Sequence, residues 1–262
     1  MGDYYNLEEG DFFVRLPNES VWNLEDNGIT LKNELKYPFT VAVLYRLVEN
    51  TNPINETMFS INDLITSCGY KKDKDNIKNF KDLLNKLQDK GIIYNVSIPL
   101  DKAKYNSFIR CKLNLEVETN FFMIYHKYFK TVMESDYTAS VKNNVFTFLC
   151  YILARLRTIN NDKYLSYCYF SYEKAEHDLN MNEDTIINCG TIAKSLGLIL
   201  YDNVGYIKRY NKRCSNIYSL TEEGLEFGII SSYEWYDCEF STDFIPKEEY
   251  KKLYEEKRKE RK

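Results

Sequence analysis

Only two histidines, His126 and His177, occur in the chain, and its seven cysteines include no Cys-x-x-Cys pair. A zinc site built from such pairs is therefore excluded. A His-hydrophobic-His metal site serving a catalytic tyrosine, as a nicking enzyme needs, lacks the residues to build it. The 23 tyrosines single out none as a nucleophile. No GxxxxGK[ST] loop and no GxGxxG occurs, so the two common backbone cradles for nucleotide phosphates are missing. Bare acidic pairs such as Glu222-Glu223 and Glu255-Glu256 lie in ordinary surface sequence and specify no hydrolysis. A non-enzyme without metal or cofactor is the expectation.

Long apolar runs are lacking too. The longest, Val145 to Leu156, is amphipathic and falls short of the roughly 18 residues of a membrane span. The amino terminus, MGDYYN, has neither the basic nor the apolar region of a secretory signal. The cysteines are odd in number and scattered through the elements, which points to reduced thiols and a cytoplasmic location. Hydrophobic residues at 44% and charged residues at 28% are those of a globular chain, whose 262 residues have room for one large or two modest domains.

The stretch from Ser171 to Leu220 organises the rest. Ser171 caps a short helix through Leu179, Asn180-Met181-Asn182 breaks it, and a second helix runs from about Glu183 to Ser195. Ile186, Cys189, Ala193 and Leu196 recur at the spacing of a buried face. Thr185, Asn188, Thr191 and Lys194 form the polar face opposite. Gly197 ends the helix. Two β-rich runs follow, Leu198 to Tyr201 and Tyr206 to Tyr210, with Asp202-Asn203-Val204-Gly205 expected as the turn between them. Helix, turn, helix, hairpin is the order of a winged helix-turn-helix, in which one helix enters a major groove and the hairpin reaches phosphates. Lys208, Arg209, Lys212 and Arg213 lie on that hairpin with no acidic residue between Val204 and Tyr218.

The same order is expected earlier in the chain. DFFVRLPNESVW reads as an extended arm, and Pro38 opens a helix to about Glu49. Ser60 and Asp63 make a loose capping box for the next helix. A third helix spans about Asp75 to Lys90, with Ile77, Phe80, Leu84 and Leu87 inward and Lys71, Lys72, Lys74, Lys78 and Lys81 at its start and outer side. Gly91 stops it, and Ile92 to Ile98 and Ser107 to Leu113 read as strands about a loop carrying Lys102 and Lys104. FKDLLNKLQDKGII and INCGTIAKSLGLI echo each other as helices ending in a glycine before an apolar strand, so the chain reads as a divergent internal repeat. Phe121 to Glu134 is expected as a linking helix, and Val141 to Ile159 as the first helix of the second repeat.

The net charge of −4 is distributed unevenly. From Thr221 to Glu249 nine acidic residues face one lysine, so the rest of the chain is mildly basic. Distant charges are screened within about 8–10 Å, and the field at a groove is set by its neighbours. The acidic, aromatic segment after Thr221 is expected to fold back on the second repeat, and Glu248 to Lys262 to form a charged tail, read as a solvated segment ahead of a frayed helix with i,i+4 pairs or a basic arm for phosphates.

With NMNEDTI, AKSLGLI and CSNIYSLT in the second repeat, and DFFVRLP, FSINDLITSCGY and LLNKLQDKGII in the first, the chain resembles winged-helix replication-initiation and replisome-organiser proteins. These are carried by plasmids and phages of low-GC Gram-positive bacteria. The resemblance covers about Phe12 to Thr221. It implies an α+β, mostly helical fold with two winged helix-turn-helix domains in tandem joined by a helix. The boundaries are an arm and first domain at 1–118, a linking helix at 119–140, a second domain with an acidic extension at 141–245, and a tail at 246–262. It implies sequence-specific binding of double-stranded DNA at a plasmid or phage origin, dimerisation, and recruitment of host replication proteins. Thr185, Asn188, Thr191 and Lys194 would read bases, and Lys208, Arg209, Lys212, Arg213 and Asn216 would form the wing. Lys74, Lys78 and Lys81 would hold the equivalent place in the first domain, flanked by Lys71, Lys72, Lys102 and Lys104. A transcriptional regulator of a mobile element uses the same parts, and a protein-protein adaptor would use the winged helices for docking.

Overall fold

Two α+β units divide the chain, and each draws on more than one stretch of it. The computed structural model describes residues 12–23, 28–115, 120–159 and 162–252, with only the backbone of 158–159 and 162–164. Among them, the larger unit takes 12–154 and 173–196 and the smaller takes 155–172 and 197–252.

The larger unit opens with β1 (Phe13–Pro17), which buries Val14 and Leu16 and turns Phe13 and Arg15 outward. A short helix, α1 (Leu31–Leu35), starts where the Thr30 hydroxyl accepts from the Asn33 amide at 3.0 Å. α2 (Thr40–Glu49) buries every residue from Thr40 to Tyr45 and also Leu47, so it is the helix around which the unit packs. β2 (Glu56–Phe59) leads into α3 (Ile61–Ser67), whose Asp63 amide is capped by Ser60 at 3.0 Å. α4 (Lys74–Asp89) begins at Asp73, which accepts from the Asn76 amide, and is left through Gly91 in the left-handed region. Phe80, Leu83, Leu84 and Leu87 point inward, and Phe80 stacks on Phe39 with centroids 3.9 Å apart. β3 (Ile93–Tyr94) and β4 (Ile109–Leu113) complete a three-stranded antiparallel sheet in which β4 lies between β2 and β3.

The expected helix from Phe121 to Glu134 is in fact a strand followed by a helix. β5 (Phe121–Tyr125) pairs antiparallel with β1, Phe13 opposite Tyr125 and Pro17 opposite Phe121. α5 (His126–Glu134) takes over immediately. Phe122 and Ile124 alternate inward with the period of a strand, whereas the helical stripe of Tyr128, Phe129 and Val132 begins only after His126. α6 (Ala139–Arg155) likewise stops short of the expected Ile159, because the chain becomes strand from Arg157.

α7 (Tyr172–Leu179) and α8 (Glu183–Ser195) have the expected bounds, with the Asn182 side chain capping α8. The last carbonyls of α7 are held by α1. Thr30 and Asn33 donate to the carbonyls of Asp178 and His177, and the Lys32 ammonium donates to that of Leu179 at 3.0 Å. A helix C-terminus presents unpaired acceptors and partial negative charge, which three donors satisfy here. Lys32 is 2% exposed. Burial pushes its ammonium down to about 8.

In the smaller unit β6 (Arg157–Ile159) and β7 (Asp162–Tyr169) form a hairpin. β8 (Leu200–Asn203), β9 (Gly205–Ile207), β10 (Lys212–Arg213) and β11 (Asn216–Ser219) follow, then α9 (Glu222–Phe240) and β12 (Phe244–Pro246). One sheet runs β6-β7-β11-β8 and another β10-β9-β12. Leu200 lies opposite Ser219 and Ile207 opposite Lys212 in one unbroken register, so β8-β9 and β10-β11 are the two arms of a single ribbon. Its turn is Lys208 to Asn211, not the expected Asp202 to Gly205. Val204 is buried with Ile207, Cys214, Ile217 and Phe244, which rules out a solvated tip there, and Asn211 supplies the positive φ of 51° that a tip needs.

α9 lies against β7 and β11 at two glycines a turn apart. A Cβ at Gly224 would come within 2.6 Å of the Ser166 carbonyl oxygen, and one at Gly228 within 2.6 Å of Ile217 Cγ2. Replacing Gly228 with valine is expected to cost about 1–3 kcal/mol through overpacking, read as a lower thermal midpoint and faster proteolysis within α9. An unchanged midpoint would mean that the helix does not sit on the sheet this closely.

Candidate nucleic-acid interface

The lysines of the first repeat are gathered around α4 and the loop before β4. Lys71, Lys72, Lys74 and Lys78 are exposed and Lys81 is half-buried. The loop is tied to this region at three points: Lys81 donates to the Asp101 carbonyl at 3.0 Å, Asn85 to the Asp101 carboxylate at 2.8 Å, and the Asn62 amide to the Tyr105 carbonyl at 2.9 Å. The Lys72 ammonium lies 3.5 Å from the centre of the Tyr105 ring, and its hydrogen bond and charge lower that phenol's pKa. Lys102 and Lys104 are exposed on the same loop. Folding thus makes neighbours of two lysine clusters that lie apart in sequence. Asp73, Asp75 and Asp101 lie among them, so the patch is lysine-rich and not purely basic.

α8 places its expected reading face outward in part. Asn188, Thr191 and Lys194 are exposed, whereas Thr185 is half-buried and its amide is bonded to the cap residue Asn182. The Thr191 hydroxyl donates to the Ile187 carbonyl at 3.0 Å, and Ile187 itself is exposed beside it. Glu183 and Asp184 occupy the first turn, where they suit the helix dipole and repel phosphate.

On the ribbon, Lys208 and Arg209 form the turn and Lys212 and Arg213 lie on β10, all four exposed. Asn216 stands apart from them. It is half-buried in β11, and its amide donates to the Tyr172 hydroxyl at 3.0 Å, so it braces the sheet. The acidic segment folds back on this unit as expected, and its end reaches the ribbon. β12 pairs with β9, the Lys208 amide donates to the Asp243 carbonyl at 2.8 Å, and the Asp243 carboxylate stands 3.8 Å from the Arg209 guanidinium. Asp202 also forms an ion pair with Lys247. Arg209 further packs over the Tyr210 ring at 4.9 Å. Of the four ribbon cations, Arg209 is the one whose side chain stands beside a carboxylate among the described residues, since Lys208 meets Asp243 through its backbone amide. α8 belongs to the larger unit and the ribbon to the smaller.

Tyr105 and Arg110 were not among the expected residues. The outward position of Arg110 follows from the alternation of β4, where Ile109, Cys111 and Leu113 are buried, and that signal is legible in the sequence. Both histidines serve local packing. His126 Nδ1 lies 2.6 Å from Glu49 and 3.2 Å from the Tyr45 hydroxyl, and His177 Nδ1 lies 3.4 Å from Asp178. All seven cysteines are free thiols, and only Cys238 is exposed. Among the described residues, no group of three or more His, Cys, Asp or Glu could hold a metal ion, and no helix is long and apolar enough to cross a membrane. Residues 253–262, the greater part of the expected charged tail, lie outside the described residues. Compared with protein-family models and with curated proteins, the chain matches none.

Proposed function

We propose that the protein binds double-stranded DNA sequence-specifically through winged-helix elements, and acts as an initiator at a plasmid or phage origin that recruits host replication proteins. The observation that carries this reading is the lysine patch of the larger unit, where α4 and the loop bearing Lys102 and Lys104 are joined through Lys72, Lys81 and Asp101. The element order α2-β2-α3-α4-β3-β4, with β4 between β2 and β3, agrees with a winged helix whose recognition helix is α4. The order α6-β6-β7-α7-α8-β8-β9-β10-β11 resembles it along the chain, with β6 added and each arm of the ribbon made of two strands. Lysines on a helix and on the adjoining loop neutralise phosphates on either side of a groove, while exposed polar side chains read base edges.

A gel-shift titration of the full chain on duplex origin fragments, at two salt concentrations, tests the proposal. Neutralising Lys208, Arg209, Lys212 and Arg213 together is expected to reduce the salt slope by about 0.9 for each phosphate that no longer meets a cation. Replacing Lys74 and Lys78 by alanine should weaken binding across all sequences, because phosphate contacts carry no sequence information. Duplex binding with an unaltered slope in both variants would remove these surfaces from the interface, and no binding at all would overturn the reading. One observation favours a second reading: the contacts of Asp243 at the ribbon turn, together with the acidic, aromatic outer side of α9, suit an adaptor that docks a basic protein partner. In that case the duplex titration is flat and a pull-down depends on α9.

A further inference from the structure

The ribbon made by β1 and β5 buries one face and leaves the other covered by rings and cations. Val14 and Leu16 alternate inward with Phe122 and Ile124. On the outward face Phe13 lies opposite Tyr125, Arg15 opposite Met123, and Pro17 opposite Phe121. Phe13 and Met123 are each 40% exposed. The Arg15 guanidinium lies over two rings, 4.7 Å from the centre of Phe121 and 5.7 Å from that of Phe13. Phe13 meets Tyr125 edge-on at 6.0 Å, and the Lys127 ammonium lies 5.8 Å from the Tyr125 ring. Phe121, Arg15, Phe13, Tyr125 and Lys127 thus form a continuous ladder of π faces and positive charge.

Composition sets this face apart from an ordinary solvated one. Neither residues 12–18 nor residues 120–130 contain an aspartate or glutamate, although acidic residues outnumber basic ones in the whole chain. Alternate outward residues on a strand stand about 7 Å apart and cross-strand neighbours about 5 Å apart, so the rings are spaced for successive flat groups. Flat groups joined by anionic links are unstacked nucleotides. Base faces are hidden inside a duplex and become available in a single strand, where stacking on aromatic side chains is tolerant of sequence and arginine adds a cation–π contribution.

We infer that the outward face of the β1-β5 ribbon is a binding platform for single-stranded nucleic acid, with Phe13, Phe121 and Tyr125 stacking bases and Arg15 and Lys127 contacting phosphates. This surface carries none of the lysines assigned to duplex contact, so it extends the proposed function and can stand or fall independently of it.

Fluorescence anisotropy of the full chain with a labelled oligothymidylate is the test, with a mixed-sequence duplex as competitor. Phe13→Leu keeps an apolar side chain and removes the ring, and Arg15→Gln keeps length and removes the charge. Each is expected to weaken oligothymidylate binding, the ring variant by about 5- to 100-fold. Arg15→Gln should also lower the single-strand salt slope by about 0.7. Both should leave duplex binding and the circular dichroism melting curve unchanged. Failure of duplex binding with intact oligothymidylate binding would overturn the proposed function and leave the platform standing. No oligothymidylate binding, binding indifferent to Phe13→Leu, or binding abolished in the Lys74 and Lys78 variant and kept in the ribbon variants would overturn the platform. Capture of a protein segment along the edge of β1, with oligothymidylate inert, would assign the face to peptide docking instead.

Discussion

Raising the pH from about 8 to about 10.5 is expected to lower the thermal midpoint of this protein by roughly 10–20 °C. Burial pushes the thiols of Cys68, Cys168 and Cys189 up to about 12, from an ordinary value of 9.0. In the folded chain they stay protonated across this range, and in the unfolded chain they ionise. The unfolded state therefore binds fewer protons between the two values, and stability falls as pH rises through them. Each thiol costs about 1.4 kcal/mol per pH unit above its ordinary value, so these three together remove about 6 kcal/mol at the upper limit, against a total of about 5–15 kcal/mol for a typical domain.

Cys111 and Cys214 are also pushed up to about 12 and act in the same direction. Lys32 acts in the opposite direction. Its folded value of about 8 lies below the ordinary 10.5, so the unfolded state binds more protons between them and stability rises with pH there. One lysine offsets only part of the loss from five thiols. Scanning calorimetry or circular dichroism across the range measures the net effect, and thiol titration of the native chain should find Cys238 reacting first. A midpoint indifferent to alkali, or several fast thiols, would mean that the six buried cysteines are open to solvent.

Replacing Phe80 with alanine is expected to cost about 3–5 kcal/mol, the largest single-residue loss predicted for this molecule. Phe80 is fully buried, stacks face to face on Phe39, and meets Tyr70 edge-on at 5.8 Å. It anchors the inward side of α4 while Lys74 and Lys78 occupy its outward side. The same change should therefore weaken duplex binding, since the lysines keep their places only while α4 is docked. Lys78→Ala makes the contrasting variant. It is exposed, should alter stability by less than about 0.5 kcal/mol, and, on the proposed function, should weaken duplex binding through the loss of one phosphate contact. Equal loss of stability in both variants would show that the two sides of α4 are not divided between packing and surface.

Legibility in the sequence follows how local each determinant is. α8 can be placed from Asn182 to Gly197 because a cap and a left-handed glycine act on the turns beside them. Gly91 and the inward positions of α4 are readable for the same reason, and Ser60 fulfils half of its capping box by accepting from Asp63. FFMIYHKYF is not legible in this way, because its apolar residues satisfy a period of two and a helical period together. The pairing of Phe121–Tyr125 with Phe13–Pro17 chose between them. DNVG likewise has the composition of a turn, and the burial of Val204 among Ile207, Cys214 and Phe244 moved the turn to Lys208–Asn211.

The candidate surfaces divide along the same line. Which side chains face solvent on α4, α8 and β10 was set by local periodicity, because an apolar stripe fixes the opposite face by default. Whether those charges keep company with their own sign was decided by distant chain. Asp101 and Tyr105 arrive at α4 from the loop before β4, and Asp243 arrives at the ribbon from beyond α9. By itself the sequence determined an α+β chain with capped helices and segregated charge. Only the tertiary structure decided the second arm of each ribbon, the carboxylate beside Arg209 and the ladder of rings around Arg15. Strand pairing and ion pairing join residues remote along the chain, and no local spacing encodes them.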